Sequence, residues 1–203
     1  MPPPKTKKPP KRDIDIDCGR YRLRTAKAAD ASDQWAAWMA DPEAVHMLNA
    51  PAQMLTKDDI ATYIKQFDQR SHILIGIFEK EREALLGILR VDIDFANSRC
   101  LVSLLIGDPQ HRNAGVTNAV TVPFRDYFFE TVGLQTMLAT ALARNKPITH
   151  YLFKSGWTLD KTLPGHVKSH ADGAMLDLCF FSLTRDAWRE WKRKNVGQTD
   201  ERR

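Results

Sequence analysis

Ile106-Gly107-Asp108-Pro109-Gln110-His111-Arg112-Asn113-Ala114-Gly115-Val116-Thr117 joins an apolar run to an amphipathic one, and the chain organises around that junction. Behind it, Leu101–Ile106 is rich in Leu, Val and Ile and reads as a buried strand. Ahead of it, Val116, Val120, Phe124 and Phe128 recur at every fourth position, which predicts a helix from Gly115 to about Thr131. Pro123 lies inside that helix and is expected to kink it by removing one backbone bond. A helix start leaves N–H groups unpaired and carries about half a positive charge, so it suits a phosphate. Gly115 lets the backbone turn and approach an anion with no Cβ in the way. His111 and Arg112 add side-chain donors, and a guanidinium matches phosphate oxygens well. An ordinary capped turn has the same outward look, so these residues alone leave a phosphate cradle and a plain turn both open.

Upstream, Ile73–Phe78 and Ala84–Phe95 join Leu101–Ile106 as three strands of a meander separated by polar turns. The middle strand alternates, with Leu89, Val91, Ile93 and Phe95 on one face and Arg90, Asp92 and Asp94 on the other. Tyr21–Arg24 reads as a first strand. Asp30–Ala40 reads as a helix with Trp35, Trp38 and Met39 on one face, and Asp41-Pro42 opens another short one. Thr56 with Asp59 is a capping-box start for a helix to about Phe67. Downstream come a strand at Met137–Leu142, a helix at Pro147–Lys154 closed by Gly156, a strand at Ala174–Leu183 and an amphipathic turn at Ala187–Trp191. A meander followed by alternating units predicts a mixed α/β fold, with helices on both faces of a central sheet.

The 203 residues fit one domain. No apolar run is long enough to cross a bilayer, and the basic start lacks the hydrophobic stretch of a secretory signal. Cys18, Cys100 and Cys179 fit neither a disulfide framework nor a zinc site, which implies a reducing, cytoplasmic setting. Residues 1–12 carry +5, residues 185–203 carry +3, and the body between them carries −3. The high pI thus belongs to the ends. These read as solvated extensions, and contact with nucleic acid or a ribosome through them is the less favoured expectation.

The opening segment resembles the acetyl-CoA loop of the GNAT acetyltransferase superfamily, whose pattern is Gln/Arg-x-x-Gly-x-Gly/Ala. Arg112 falls on its first position, Gly115 on its fourth and Thr117 on its sixth. Asn113 departs from the Gly usual there but tolerates left-handed backbone. Thr117 departs from a small residue; it either donates its hydroxyl to phosphate or crowds it. Asn145, Ile148 and Lys154-Ser155-Gly156-Trp157 resemble the family's Asn-x-x-Ser/Ala … Lys-x-Gly-Phe element, with the same eleven-residue step from Asn145 to Gly156. Gly173, Asp177, Leu183 and Trp188 are similar to the closing strand of the branch holding ribosomal-protein N-terminal and amino-sugar acetyltransferases. Trp35, Trp38 and Asp41-Pro42 resemble that branch's first helices. The resemblance runs from about Tyr21 to Trp191 and frames a basic tail at 1–16, a domain at 17–192 and a charged tail at 193–203.

The resemblance implies a GNAT-type sheet: central, mostly antiparallel and splayed. It implies acetyl-CoA as co-substrate, held by Leu105, Ile106, Gln110, His111, Arg112, Asn113, Ala114, Gly115, Val116, Thr117, Asn145 and Lys154. It also implies an acetyl transfer to a primary amine (a small amine, an amino sugar or a protein N-terminus), no metal, and a homodimer. Many members place a Glu base on the strand at Cys100–Ile106, which here holds no acid. Asp92, Asp94 and Asp177 are the alternatives, although each also reads as a solvated strand face or a hydrogen-bond anchor. His166 and His170 lie in a loop near the expected acceptor mouth, without metal-ligand spacing. The family's acid Tyr would fall at Leu152; Tyr151 is one residue earlier, about 100° round the helix. The alternative reading is a non-catalytic acyl-CoA-binding or regulatory module on a degenerate GNAT fold.

Overall fold

The computed structural model describes residues 9–112 and 114–196, so the expectations for residues 1–8, Asn113 and 197–203 lie outside the described residues. Eight strands form one sheet in the order β1-β2-β3-β4-β5-β6-β8-β7. They are β1 (Asp15–Cys18), β2 (Tyr21–Thr25), β3 (His72–Glu79), β4 (Ala84–Asp94), β5 (Arg99–Ile106), β6 (Thr136–Leu142), β7 (Thr158–Lys168) and β8 (Met175–Thr184). All neighbours pair antiparallel except β5 and β6. The mixed fold is as the pattern of elements predicts, and its mostly antiparallel sheet is as the resemblance implies.

Alternation along the strands builds two cores. Ile73, Ile75 and Ile77 of β3, with Leu89, Val91 and Ile93 of β4, face α4 (Val116–Asp126) through Val116, Val120 and Phe124. Leu74 and Phe78 face the other way, onto Trp35 and Trp38 of α1 (Asp33–Trp38) and Ile60 and Ile64 of α3 (Lys57–Ile64). A bulge in β4 at Leu86 shifts the register, so Leu86 and Leu89 share one face despite their odd spacing. The short α2 (Pro42–Leu48) follows α1, and α5 (Lys146–Lys154) and α6 (Arg185–Asn195) complete the helices.

Local signals place most of these ends. Thr56 and Asp59 form the expected capping box, and Ser32, Asp41 and Thr184 cap α1, α2 and α6. The structure differs from the sequence reading at several points. The helix read at Asp30–Ala40 is a 3-10 turn at Ala28–Asp30 and a separate α1, because Ser32 caps a fresh start. The chain stays helical through Pro123, then widens into a π turn at Tyr127–Thr131 closed by Val132 N–H to the Tyr127 carbonyl. Two strands, β1 and β7, have no counterpart in the sequence reading. Within the segment assigned there to the tail, Ile14 is 1% exposed and Arg12 N–H donates to the Gln69 carbonyl at 2.7 Å.

β5 and β6 pair only at Arg99–Leu101 with Thr136–Leu138. Beyond that point β5 stays registered on β4 to Ile106, and β6 stays registered on β8 to Leu142. The two halves of the sheet therefore part after Leu101. At the end of β5, Gly107 lies so close to α1 that a Cβ there would sit 1.9 Å from the Trp38 ring. Gly107→Ala should lower unfolding stability by about 1–3 kcal/mol through overpacking. A urea midpoint unchanged from the parent would contradict that packing.

Candidate active site

The gap between β5 and β6 leaves backbone groups without a strand partner. Gly107 N–H donates to the Leu86 carbonyl, and Ile93 N–H donates to the Ser71 carbonyl on the opposite side of β4. Stepping by twos along the antiparallel ladder, Leu105 and Ser103 turn their N–H to β4, and Leu104 and Ile106, beyond the last β6 pair, turn theirs to the gap. Leu105 therefore contributes wall, whereas the open donors belong to Leu104 and Ile106.

Beside this edge begins α4. Its N-cap, Gly115, has φ +80° and supplies no side-chain cap, so among the described residues no side chain bonds the N–H groups of the first turn, Val116–Asn118. A Cβ on Gly115 would meet nothing within 4 Å, so the restriction to glycine is conformational and the space above is open. Open donors at a helix start next to open donors on a strand fit an anionic, extended ligand.

Arg112 is committed elsewhere. Its guanidinium bonds Asp41, Glu43 (3.1 Å) and the Gly107 carbonyl (3.0 Å), and its Nε donates to the Ile106 carbonyl at 3.2 Å. It thus ties the loop to the start of α2. Burial raises the Asp41 carboxyl, but the Arg112 bond and the Glu43 N–H outweigh that and hold it below its ordinary value. His111 Nδ1 lies 3.2 Å from Asp108 Oδ2 without hydrogen-bond geometry. Further along α2, Arg144 donates to the His46 carbonyl (2.8 Å) and Asn145 Nδ2 to the Met47 carbonyl (3.4 Å). At its end Asn49, in left-handed backbone, donates to the Lys168 carbonyl (2.9 Å) and accepts from His170 N–H (3.1 Å). α2 is a roof pinned at both ends.

Under it lie two adjoining cavities of about 430 and 470 Å³, which share Leu104, Thr117, Asn145, Ile148 and Tyr151 along with Met47 and Leu48 of the roof. The first brings together Leu105, Ile106, His111, Arg112, Gly115, Val116, Thr117 and Asn145 of the expected cofactor residues. Gln110 and Ala114 are exposed on the loop outside it. Lys154 is exposed at the far end of α5, where its carbonyl accepts from Trp191 Nε1. The second cavity runs through the gap, between Val102–Leu104 and Ala139–Leu142, down to Arg125.

Of the expected catalytic residues only Tyr151 reaches this space. Its hydroxyl bonds Thr121 Oγ1, and Thr121 in turn donates to the Thr117 carbonyl at 2.6 Å. The Thr121 proton being so used, the phenol is the donor of the pair. Leu152 is buried in the core. Asp92 and Asp94 stand opposite Leu101 and Arg99, where the sheet is closed, and line neither cavity. Asp92 pairs with His72 and Arg90, each at 2.8 Å; Asp94 pairs with Asn97 and Arg99, and those bonds hold its carboxyl low. Asp177 is exposed and accepts from Gly165 N–H, while His166 is exposed on β7 beside Phe180.

Sequence reasoning missed Thr121 and Arg125. Both follow one position behind the apolar stripe of Val120 and Phe124, and that step was the available signal. Arg125 is 3% exposed, bonds the Ser155 carbonyl (2.7 Å) and hydroxyl (3.0 Å), and lies over the Trp157 and Trp188 rings. Burial pushes its guanidinium down to about 10.

Residues 20–158 match the protein family described as an acetyltransferase (GNAT) domain. No curated protein matches the chain. Among solved structures, a GCN5-related N-acetyltransferase from Brucella melitensis superposes with TM-score 0.76 at 16% identity, covering 94% of this chain and 86% of that one. A ribosomal-protein-S5-alanine acetyltransferase from Vibrio fischeri gives 0.72 at 18%, covering 87% and 99%. A spermidine N-acetyltransferase from Vibrio cholerae, in complex with CoA and spermine, gives 0.73 at 13%, covering 84% and 98%. At these identities the likeness is one of fold.

Arg112→Ala should cost about 1.5–3 kcal/mol at pH 7, the range of hydrogen bonds to charged groups. The Asp41 carboxyl is depressed in the folded state, so its share is present above the ordinary value of 3.8 and is lost as pH falls through the folded value. Denaturation curves of both proteins should therefore converge in acid; a difference independent of pH would exclude the ion pair as its source.

Proposed function

Because the chain belongs to the GNAT acetyltransferase family, we propose that it is an N-acetyltransferase transferring the acetyl group of acetyl-CoA to a primary amine. The observation that carries this is the parting of β5 from β6 after Leu101, directly beside the uncapped start of α4. Acetyl-CoA supplies an activated thioester. The N–H groups of Val116, Thr117 and Asn118 take its pyrophosphate, with Gly115 allowing close approach and the Thr117 hydroxyl adjacent. The N–H groups of Leu104 and Ile106 face the gap and stabilise negative charge on the acyl oxygen. Asn145 and Ile148 flank the pantetheine arm. Tyr151, aimed into the gap by its bond to Thr121, carries the proton for the departing sulfur. The same reading takes residues 17–192 as the acetyltransferase domain. It places the protein in the cytoplasm, which its free, buried Cys18, Cys100 and Cys179 suit. No described helix is long and apolar enough to cross a membrane.

Acetyl-CoA at a hundredfold its Kd should stabilise the protein by about 2.7 kcal/mol, seen as a rise in Tm. Gly115→Val, which strains a backbone at φ +80°, should shrink that rise. A folded sample whose Tm is unmoved by millimolar acetyl-CoA would sink the proposal. Tyr151→Phe should lower kcat roughly 10²-fold with KM for acetyl-CoA unchanged. The second reading, an acyl-CoA-binding module without turnover, is favoured by the acid-free β5. Free thiol released with any amine rejects it.

A further inference from the structure

We infer that the acceptor is a small, apolar primary amine of the arylamine class, which enters the larger cavity as its uncharged free base. This rests on the acetyltransferase reading and specifies its second substrate. The wall of that cavity is largely apolar, with Val102, Leu104, Phe124, Ala139, Leu142 and Leu178 in it. Among the described residues no Asp, Glu or His lines it. An alkyl ammonium, with pKa ~10.4, is uncharged in roughly one molecule in 2,500 at pH 7. Nothing in this wall would take its extra proton, and nothing would pair with a second ammonium on the same molecule.

Arg125 sharpens the point. It is the one charged side chain on this wall among the described residues, and no carboxylate pairs with it. Its charge repels a cationic guest. Burial already disfavours the guanidinium, and it would disfavour an ammonium there in the same sense. The remaining polar groups on the wall, such as Ser103, Thr140 and Tyr151, are neutral donors and acceptors. An arylamine delocalises its lone pair into the ring, so it is neutral at pH 7 and flat. The Asn49 clamp onto Lys168 and His170 closes the side between α2 and the turn joining β7 to β8. A polypeptide threaded through that side would have to break it. The chemistry balances without an added base: the C–N bond forms as the C–S bond breaks, and the proton that nitrogen gives up is the one the leaving sulfur gains.

The test uses the full chain with p-toluidine, spermidine, glucosamine and an alanine-initiated peptide. Calorimetric binding is read with CoA present, and thiol release with acetyl-CoA. The expected result is a kcat/KM for p-toluidine at least tenfold above each of the others and flat from pH 6 to 9. Thr140→Asp puts a carboxylate on the wall at an exposed position that tolerates it. It should reduce p-toluidine turnover at least tenfold and raise that of spermidine. Tighter binding or faster turnover of spermidine, glucosamine or the peptide by the parent protein overturns the inference. Failure to bind acetyl-CoA overturns the acetyltransferase reading instead, and calorimetry of the amines alone then decides this one: p-toluidine binding supports it and its absence rejects it.

Discussion

Three parallel residue pairs between β5 and β6 hold the two halves of the sheet together, and everything functional depends on their stopping at Leu101. Each strand is fully engaged on its other side, β5 along β4 and β6 along β8, so each half of the sheet follows its own right-handed twist. Once the two diverge, the N–H groups of Leu104 and Ile106 have no strand to meet. Backbone groups left unpaired in a partly buried place are costly, and a ligand that satisfies them is bound by groups already in position. The gap is therefore a polar seam running through an apolar wall. Polarity on that seam comes from the main chain, since β5 carries no acidic side chain.

The roof over this seam is set by a carboxylate with two partners. Asp41 caps α2 by accepting from Glu43 N–H and also receives the Arg112 guanidinium. Arg112 thus links the loop to the first turn of α2, whose other end, at Asn49, is bonded to Lys168 and His170. The loop's guanidinium charge is thereby neutralised within the protein. What it offers an anion is directional N–H groups at Val116–Asn118, which act at short range and specify position as well as sign.

The parts of this arrangement that were legible in the sequence are local ones. Gly115 between a buried run and a four-residue apolar repeat marks both the strand end and the helix start, and Thr56 with Asp59 marks a cap, because each signal lies within a single turn. β1 escaped because its outward side chains, Asp15 and Asp17, look like a solvated tail until Arg22 and Lys80 arrive from other strands to pair with them. β7 escaped because Pro164-Gly165 reads as a turn. The ladder does lose its register between Leu163 and Val167 and then recovers against β8. Arg112 reads as a phosphate donor only while Asp41, far off in the chain, is ignored. Tyr151 shows the same limit in a helix. Its phase relative to the core is fixed by Leu152 packing inward, which turns the neighbouring phenol into the gap.

The floor of the larger cavity is shaped from the other end of the chain. Arg125 would be costly to bury without a counter-ion, and that cost is offset by the Ser155 carbonyl and hydroxyl and by the faces of Trp157 and Trp188. Trp188 is fixed by α6: its indole N–H donates to Asp126 at 3.0 Å and its ring stacks on Trp191. Trp191 in turn packs tightly over Gly156, where a Cβ would stand 3.0 Å from the indole. The glycine that closes α5 and the tryptophans of α6 thus serve one end, a cation seated among indoles beneath the gap. On the proposed reading, a cavity with main-chain donors along its seam, a cation at its base and, among the described residues, no carboxylate on its wall selects its guest by charge before it selects by shape.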